Sequence, residues 1–435
     1  MSPELTFGVE LEMVLGFHYD LLRKQLDKNP DKSSWKVVRQ PGYLKRQSTQ
    51  STMYHTRQYQ AWALHNPSAG NVADTVALVN GKDPTVRSVH QAYLEEPLEI
   101  ARDVLQPALH DIAVHSDLQT KQSDFSSWTL VRDPSIDSLS RQQLSDAFDR
   151  DELLPARTEE WDSYGIELVS PVMSSTEQAT ADLTAALSTL HSNGTNPYHD
   201  ITTTTQCGLH VHIGTPTGHA LPLPVLQHLA FLHLVYEHEL DRLLPLHRRS
   251  TSGNAELWTN RQNFFAEGAD PVVRQIIDPL SGTSTTVSSY PVYVPLSEVR
   301  TSIFSTTTIA ELVKLVGADK QHLVNFSYAA REEGQGPATV EFRAHDASTD
   351  VCEIEAWIGF CLGLVRLAYR MAEGEVGLEV GEWGEEEELE GLWELMGLGD
   401  DERAYWREKV EEKALLWPDW RPVEFWEEDI LEGLE

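Results

Sequence analysis

Four short segments of the sequence carry ionisable residues in alternation with apolar ones. They hold Glu10 and Glu12, then Glu167, then His210 and His212, and finally Glu341 and Arg343. In a β-strand, residues two positions apart point to the same side, so the ionisable side chains of each segment are predicted to face away from its apolar ones. If the apolar faces pack on one core, the ionisable groups share one surface.

That surface would combine four carboxylates, two imidazoles and one guanidinium. Carboxylate oxygens are hard ligands that suit Mg²⁺ or Mn²⁺, and a single imidazole can join them. An arginine is the natural bidentate partner of a phosphate oxygen pair. The pattern therefore predicts a site for divalent metal ions and a nucleotide phosphate.

Each segment taken alone has a simpler interpretation. Glu-x-Glu on a strand is more often a solvated face, and Glu-x-Arg can be a cross-strand ion pair. His-x-His can be a structural pair or half of a zinc site. The joint occurrence of the segments, more than any one of them, favours the metal–nucleotide interpretation.

The surrounding pattern mixes strands and helices and predicts an α+β fold. We expect strands over 6–14, 128–133, 164–169 and 208–213, and a hairpin of 322–328 with 339–345. One helix should begin at the capping pair Ser174 and Glu177, a second should cover 224–244, and a third should begin at Asp350 and Glu353.

Composition limits the partners and the compartment. The 435 residues include 34 basic and 68 acidic side chains, for a net charge of −34, which argues against nucleic acid and anionic membranes as partners. An anionic cofactor would need divalent cations and a few placed arginines. The N-terminus lacks a signal pattern, no apolar run of about 18 residues occurs, and the three cysteines form no CxxC pair, so we expect a cytoplasmic protein.

Six pieces of the sequence together resemble the amidoligases of the glutamine synthetase and glutamate–cysteine ligase superfamily. The pieces are Phe7 to Glu12, Trp128 to Asp133, Gly165 to Pro171, Cys207 to Gly214, Val324 to Phe326, and Thr339 to Arg343 with His345. The resemblance implies a curved antiparallel sheet with helices packed on its outer face. It places the catalytic domain at residues 1–372, with an insertion at about 30–95, and leaves 373–435 as an acidic, Trp-containing extension.

The resemblance also implies roles for individual residues. Glu10 would bind one metal ion with His210 and Glu341, whereas Glu12 would bind the other with Glu167, and Asp133 matches a further metal-binding acid. His212 would lie near the ATP phosphates, and Arg343 would hold the phosphoryl group in transfer. Weaker matches add Asn325 and an arginine-containing stretch of Arg248, Arg249 and Asn254 on the nucleotide side.

These roles predict an ATP-dependent carboxylate–amine ligase that works through an acyl phosphate with Mg²⁺ or Mn²⁺. The absence of a Gly-x4-Gly-Lys-Ser/Thr loop from the sequence is consistent with ATP held by metals and side chains on a sheet. We expect Arg343→Ala to abolish transfer with a modest change in stability. Two alternatives stay open: a zinc-dependent hydrolase that uses His210 and His212, and a ligase fold that binds without chemistry.

The substrates would be a small-molecule or peptide carboxylate and an amine.

Overall fold

The computed structural model describes most of the chain outside the insertion and the last residues. The described residues are 4–28, 36–38, 63–65, 97–109, 112–115, 125–133, 135–136, 139, 141–148, 161–174, 176–191, 198–249, 259–264, 272–277, 284–289, 294–317, 321–331, 336–378 and 389–416. They divide into two compact units. The first unit comprises Glu10–Pro171 and Glu177–Cys207, and the second comprises Met1–Val9, Val172–Thr176 and Gly208–Glu435.

The first unit contains an open, mostly antiparallel sheet. Its strands are β1 (Thr6–His18), β2 (Lys36–Val38), β3 (Ala63–His65), β4 (Ala113–His115), β5 (Thr129–Arg132), β6 (Trp161–Val169) and β7 (His199–Thr202). Its helices are α1 (Tyr19–Asp27), α2 (97–105), α3 (Arg141–Phe148) and α4 (Thr176–Leu190). The strand order is β1-β6-β5-β4, with β7 also paired to β1, and only β4 and β5 run parallel. The strands β2 and β3 form a separate pair.

Strand β1 extends four residues beyond its predicted end at Val14. From Val9 to Met13 its apolar residues alternate with Glu10 and Glu12, but Val14, Leu15 and Phe17 are all fully buried. This part of β1 pairs with β6 on one edge and with β7 on the other, so it is an interior strand. Val14 points to one face of the strand and Leu15 and Phe17 point to the other, so both faces are buried here. A strand that is buried on both faces needs no alternation, and the sequence pattern therefore gave too early an end.

The second unit has three neighbouring antiparallel strands, a separate strand pair and most of the helices. Its strands are β8 (Gly208–Gly214), β9 (Val272–Ile277), β10 (Ser284–Ser289), β11 (Val324–Asn325) and β12 (Val340–Asp346). Its helices are α5 (Leu223–Asp241), α6 (Leu296–Ser305), α7 (Ile309–Val316), α8 (Val351–Ala372), α9 (Leu389–Met396) and α10 (Asp400–Leu416). The strand order is β11-β12-β8, and β9 pairs with β10 separately. Helix α8 packs on β8 and on α5.

The α+β class is confirmed, whereas the glutamine synthetase-like curvature of the sheet stays a prediction. The predicted strand over 322–328 was wrong in length, because β11 contains only Val324 and Asn325 and is followed by a 3₁₀ turn at Ser327–Ala330. The cause is local. The Asn325 side-chain oxygen accepts a hydrogen bond from the Ser327 amide at 2.9 Å, which turns the chain away from the sheet.

The predicted start of α8 is confirmed at Asp350, whose carboxylate accepts a hydrogen bond from the Cys352 amide at 2.9 Å. Glu353 does not complete the predicted capping pair, because its carboxylate accepts from the Ser348 hydroxyl instead. The helix that begins near Ser174 runs over Thr176–Leu190.

The C-terminal extension contributes two helices, α9 and α10, and each buries a tryptophan. Trp393 is on α9, and Trp406 packs edge-on against Trp357 and Phe360 of α8. Most of the predicted insertion at about 30–95 and the tail after Leu416 lie outside the described residues. Within the part of the chain that is described, no helix combines the length and apolarity that crossing a membrane requires.

Candidate functional site

The first unit gathers four acidic residues, which we call the carboxylate cluster: Glu10, Glu12, Asp133 and Glu167. Glu12 on β1 is directly opposite Glu167 on β6, so both side chains leave the sheet on the same side. The neighbouring pairs Leu11 with Leu168 and Met13 with Ile166 point the other way and are buried. The period-two pattern of the sequence therefore separates an acidic face from a core face in these two strands.

The electrostatics of this cluster are unfavourable for ionised carboxylates. Burial raises the pKa of Glu167 well above its ordinary value, and the negative charges of Glu10, Glu12 and Asp133 raise it further. A hydrogen bond with Glu10 acts in the same direction. The cluster therefore favours the uptake of positive charge, either as a proton or as a metal cation.

A glycine allows Asp133 to join the cluster. Asp133 follows β5, and a Cβ atom at Gly165 of β6 would lie 2.7 Å from the Ile136 Cβ atom and 3.0 Å from the Asp133 carbonyl oxygen. Only a residue without a side chain lets the turn after β5 approach β6 so closely. The Asp133 carboxylate accepts a hydrogen bond from the Ser135 amide at 2.6 Å, which fixes that turn.

The second unit gathers the other predicted residues, which we call the histidine–glutamate cluster: His210, His212, Asn325, Glu341 and Arg343. Its centre is a row across three antiparallel strands, with Asn325 on β11 opposite Glu341 on β12 and Glu341 opposite His212 on β8. Glu341 is 0% exposed. The Asn325 side-chain amide donates a hydrogen bond to Glu341 Oε2 at 2.7 Å, and His212 Nε2 lies 3.6 Å from Glu341 Oε1.

Arg343 and His210 complete the surroundings of the buried carboxylate. The Arg343 guanidinium donates a short hydrogen bond to Glu341 Oε1, and His210 Nδ1 lies 3.6 Å from the same oxygen. His210 is itself buried and is 3.4 Å from an Arg343 nitrogen. Glu341 therefore holds Arg343 in place, as a buried carboxylate requires a charged or hydrogen-bonding partner.

A β-bulge in β12 decides which residues join this cluster. Phe342 pairs with Val211, but the next pair is His345 with Leu209, so both Arg343 and Ala344 stand opposite His210. The extra residue reverses the alternation, and His345 therefore lies with the core-facing Leu209. The His345 ring packs on Trp357 of α8 at 4.8 Å between ring centroids. Although His345 belongs to the resembling motif, it points away from Glu341.

One residue that the sequence analysis missed supports this cluster from behind. The side-chain amide of Asn260 donates to the main-chain oxygen of Val324 at 2.9 Å and accepts from its amide nitrogen at 3.1 Å. The Asn260 side chain also donates to the Val316 main-chain oxygen, and the Asn260 main-chain amide donates to the buried Glu237 carboxylate. It thus fixes the two-residue strand that carries Asn325. An isolated Asn in a loop gave no signal in the sequence.

The arginine-containing stretch has structural contacts of its own. Arg249 is 2% exposed, donates to the Leu244 carbonyl oxygen at 2.9 Å, and has a pKa lowered by burial to about 10, although the charge of Asp241 opposes this. These contacts give Arg249 an interior role, and its contact with a nucleotide stays a prediction. Asn254 lies outside the described residues.

Arg248 Nε donates to the Asp346 carboxylate at 3.1 Å, and His247 Nε2 is 2.8 Å from the same oxygen. Burial would raise the pKa of Asp346, but the hydrogen bond and charge of His247 and the charge of Arg248 lower it overall. Gly208 is again a close approach, since a Cβ atom there would lie 2.9 Å from an Arg248 nitrogen. The stretch after α5 is therefore tied to the end of β12.

Each unit thus brings its own predicted residues together. The four acids of the carboxylate cluster meet in the first unit, and the five residues of the histidine–glutamate cluster meet in the second. The expectation that both clusters share one surface stays a prediction.

The family of the chain can now be stated. A family model described as "Putative amidoligase enzyme" matches residues 3–254, which is more than half of the chain. The chain therefore belongs to this amidoligase family. The match covers every residue of the carboxylate cluster together with His210 and His212. A search of curated proteins finds no match.

Proposed function

We propose that the protein is an ATP-dependent carboxylate–amine ligase and that both clusters serve this one reaction. Membership of the amidoligase family supports the ligase class. The observation that carries the finer proposal is the direct opposition of Glu12 and Glu167 on paired strands. Like charges directly opposite each other destabilise a sheet, and a bound cation would offset that repulsion.

The donor chemistry of the clusters fits Mg²⁺ or Mn²⁺. Glu10, Glu12, Asp133 and Glu167 supply hard oxygen ligands in the first unit, and Glu341 with the His210 imidazole supplies a mixed oxygen and nitrogen set in the second. When bound, the ions would neutralise phosphate charge and polarise the phosphoryl group. The raised pKa of Glu167 supports this fit, because a cation relieves the same repulsion that a proton relieves.

The reaction needs activation of the acid before amide formation. Amine attack on a free carboxylate would have to expel oxide, which is a very poor leaving group. Transfer of the γ-phosphoryl group of ATP to the carboxylate oxygen releases ADP and gives an acyl phosphate. The amine then attacks the carbonyl carbon, the bond to the phosphate oxygen breaks, and the amine proton passes to a base. No covalent enzyme nucleophile takes part.

The histidine–glutamate cluster would act on the phosphoryl group. Arg343 is positioned by the buried Glu341 carboxylate, so its guanidinium is preorganised to neutralise the charge that moves during transfer. His212 contacts both Glu341 and the Thr339 hydroxyl, the latter at 3.2 Å, and we assign it to the ATP phosphates. Asn325 would support the ATP phosphates indirectly, through its hydrogen bond to Glu341. We also propose that Arg249 contacts the nucleotide.

A turnover assay tests the proposal. The full chain is incubated with ATP, Mg²⁺ and pools of carboxylic acids and amines, and both phosphate release and the masses of the products are measured. We expect the wild-type protein to form an amide. In Glu12→Gln and in Glu341→Gln the rate of amide formation should be lower by about 100-fold or more. One variant lies in each cluster, so equal losses support a common reaction.

Matched control variants remove an exposed acid from each unit. Glu177→Gln lies in the first turn of α4, and Glu298→Gln lies in the first turn of α6. Both should retain wild-type turnover. Phosphate release that persists in Glu10→Ala or Glu341→Ala would count against the ligase assignment, and a loss confined to one cluster would count against a shared role.

A zinc-dependent hydrolase is the second candidate, and one observation favours it. His210 and His212 both lie 3.6 Å from Glu341 Oε1, which brings two imidazoles and a carboxylate together. However, Arg343 donates to that same oxygen, and a zinc ion bound there would face a guanidinium. Metal analysis separates the candidates: one tightly held zinc supports the hydrolase, and weak Mg²⁺ binding that matters only with ATP supports the ligase.

A protein of this family that binds ligands without turning them over is the third candidate. Binding of Mg²⁺ and ATP with no product from any acid and amine pool would favour it.

A further inference from the structure

The 3₁₀ turn at Ser327–Ala330 is attached to the histidine–glutamate cluster through one amide group. The Asn325 side chain donates to Glu341 and accepts from the Ser327 amide, so a single residue fixes both the carboxylate and the start of the turn. Because the turn begins at that bond, the side chain of Tyr328 has a defined position relative to Glu341. The turn is therefore a built extension of the cluster.

Tyr328 lies between a residue of the cluster and an arginine. Its ring centroid is 5.5 Å from that of His212, with the planes inclined at 37°, and the Arg331 guanidinium carbon is 4.0 Å from the Tyr328 centroid. A guanidinium at this distance from an aromatic face is attracted by the ring quadrupole. Both distances start at the Tyr328 ring centroid, so the Arg331 guanidinium carbon lies no farther from the His212 ring centroid than their sum.

Arg331 has few other commitments among the described residues. The one hydrogen bond of its side chain to a described residue is long, 3.5 Å from a guanidinium nitrogen to the Pro337 carbonyl oxygen, and no described carboxylate forms an ion pair with it. Arg343, by contrast, donates to the buried Glu341. The ring of Tyr328 restricts the motion of the Arg331 guanidinium while its planar edge keeps donors that suit an oxyanion.

We propose that Arg331, held on the face of Tyr328, binds an oxyanion of the ligand that occupies the histidine–glutamate cluster. The oxyanion is a phosphate or a carboxylate, both of which accept two parallel hydrogen bonds from a guanidinium. This inference deepens the proposed function, on which it rests for the identity of the ligands. In a chain of net charge −34, a placed arginine is also the local charge that an anionic ligand needs on approach.

Equilibrium binding to the full chain tests this proposal without any turnover. The probes are MgADP, adenosine, inorganic phosphate and glutarate, each titrated by calorimetry. We expect Arg331→Ala to weaken the binding of the relevant anion about tenfold, the scale of one charge-assisted hydrogen bond, and to leave the neutral adenosine unchanged. Arg331→Lys should recover part of the affinity because it keeps the charge without the planar fork.

The two sources of the oxyanion give different results. If Arg331→Ala loses affinity only for MgADP and phosphate, Arg331 binds the nucleotide. If it loses affinity only for glutarate, Arg331 binds the acid substrate. The matched control is Arg300→Ala. Arg300 is on helix α6 of the same unit, and its guanidinium also lies over an aromatic ring, that of Phe231. This control should bind all probes as the wild-type protein does.

Variants of Tyr328 test the support that the ring provides. Tyr328→Phe keeps the aromatic face and should retain the affinity for anions. Tyr328→Leu removes that face, so its affinity for anions should fall nearly as far as that of Arg331→Ala. Wild-type affinity of Arg331→Ala for every anionic probe, or a wild-type protein that binds none of the probes, would overturn the inference. A failed turnover assay with intact Arg331-dependent anion binding would instead reject only the proposed function.

Discussion

Glu12 and Glu167 are directly opposite each other on the antiparallel strands β1 and β6. Glu12 is 6% exposed, and Glu167 is partly buried with Glu10 and Asp133 also near enough to raise its pKa. Two carboxylates in this arrangement cannot both ionise without cost. The pair is therefore sensitive to pH and to cations.

Stability of the metal-free protein should fall as the pH rises across the raised pKa of Glu167. A carboxyl group with a folded-state pKa above its unfolded-state value binds its proton more tightly when folded. Its contribution is complete below the unfolded-state value and is lost as the pH rises through the folded-state pKa. Glu167→Gln should remove this fall and, at pH 8, stabilise the protein by about 1 kcal/mol or less. Urea unfolding with EDTA at several pH values measures it.

The control for that experiment is Glu177→Gln, which changes an exposed acid of the same unit. It should leave the pH profile of stability unchanged. An identical fall in Glu167→Gln and in the wild-type protein would show that Glu167 does not cause it.

Added Mg²⁺ or Mn²⁺ should stabilise the wild-type protein. A ligand that binds only the folded state adds about 2.7 kcal/mol at a concentration 100 times its Kd, and the carboxylate cluster supplies the proposed ligands. The double variant of Glu12→Gln and Glu167→Gln should lose most of this stabilisation by metal, because both opposed carboxylates are replaced by neutral amides. Thermal unfolding at increasing metal concentration gives the comparison, and Glu177→Gln should respond as the wild-type protein does. Equal stabilisation of the double variant would exclude the pair as metal ligands.

Asn260→Ala should be strongly destabilising although Asn260 belongs to no predicted motif. Its side chain satisfies the Val324 amide and carbonyl and the Val316 carbonyl, all of which would lose a buried partner. We expect a loss of about 3 kcal/mol in the free energy of unfolding. The neighbouring Asn263 is exposed, so Asn263→Ala should cost no more than about 0.5 kcal/mol. Similar values for the two variants would contradict the role given to Asn260.

The alternation of apolar and ionisable residues predicted most strands of the two clusters and the sides to which their acids point. It could not predict the register of β12, because a bulge between Phe342 and His345 leaves no trace in a period-two pattern. That one extra residue separates His345 from Arg343, which share a face in an ideal strand. Burial of Arg249 was equally invisible, since a loop arginine is usually solvated and only tertiary packing places this one inside.

Trp406→Ala should show whether the C-terminal helices belong to the folded core. Trp406 is 3% exposed and packs against Phe360, with 5.3 Å between ring centroids, and against Trp357. Removing a buried Trp side chain costs about 3–5 kcal/mol when the site cannot collapse. Denaturant unfolding of the full chain measures the loss. An unchanged stability would mean that α10 separates from α8 before the core unfolds.

The adjacent Tyr405 provides the matched control. Its hydroxyl oxygen is buried and has no hydrogen-bond partner within the described part of the chain. Tyr405→Phe removes a polar atom that gains nothing from burial, so it should be neutral or stabilising by up to about 1 kcal/mol. A clear loss in this variant would point to a partner of the hydroxyl.

Arg343→Ala is expected to cost more stability than its place on a strand face suggested. Its guanidinium donates to Glu341, and deletion would remove this cationic partner from a fully buried carboxylate that Asn325 and two imidazoles also approach. Breaking such a pair from one side costs about 3 kcal/mol, the lower end of the range for buried pairs, because the Arg343 side chain is itself 22% exposed.

The Glu341→Gln background isolates the origin of that cost. With a neutral amide at position 341, removal of the Arg343 guanidinium no longer strands a charge, and Arg343→Ala should cost about 1 kcal/mol or less. The difference between the two backgrounds, measured by urea unfolding, is the coupling energy of the pair. Equal costs in both backgrounds would mean that Glu341 does not depend on Arg343, and the preorganisation assigned to the guanidinium would then need another source.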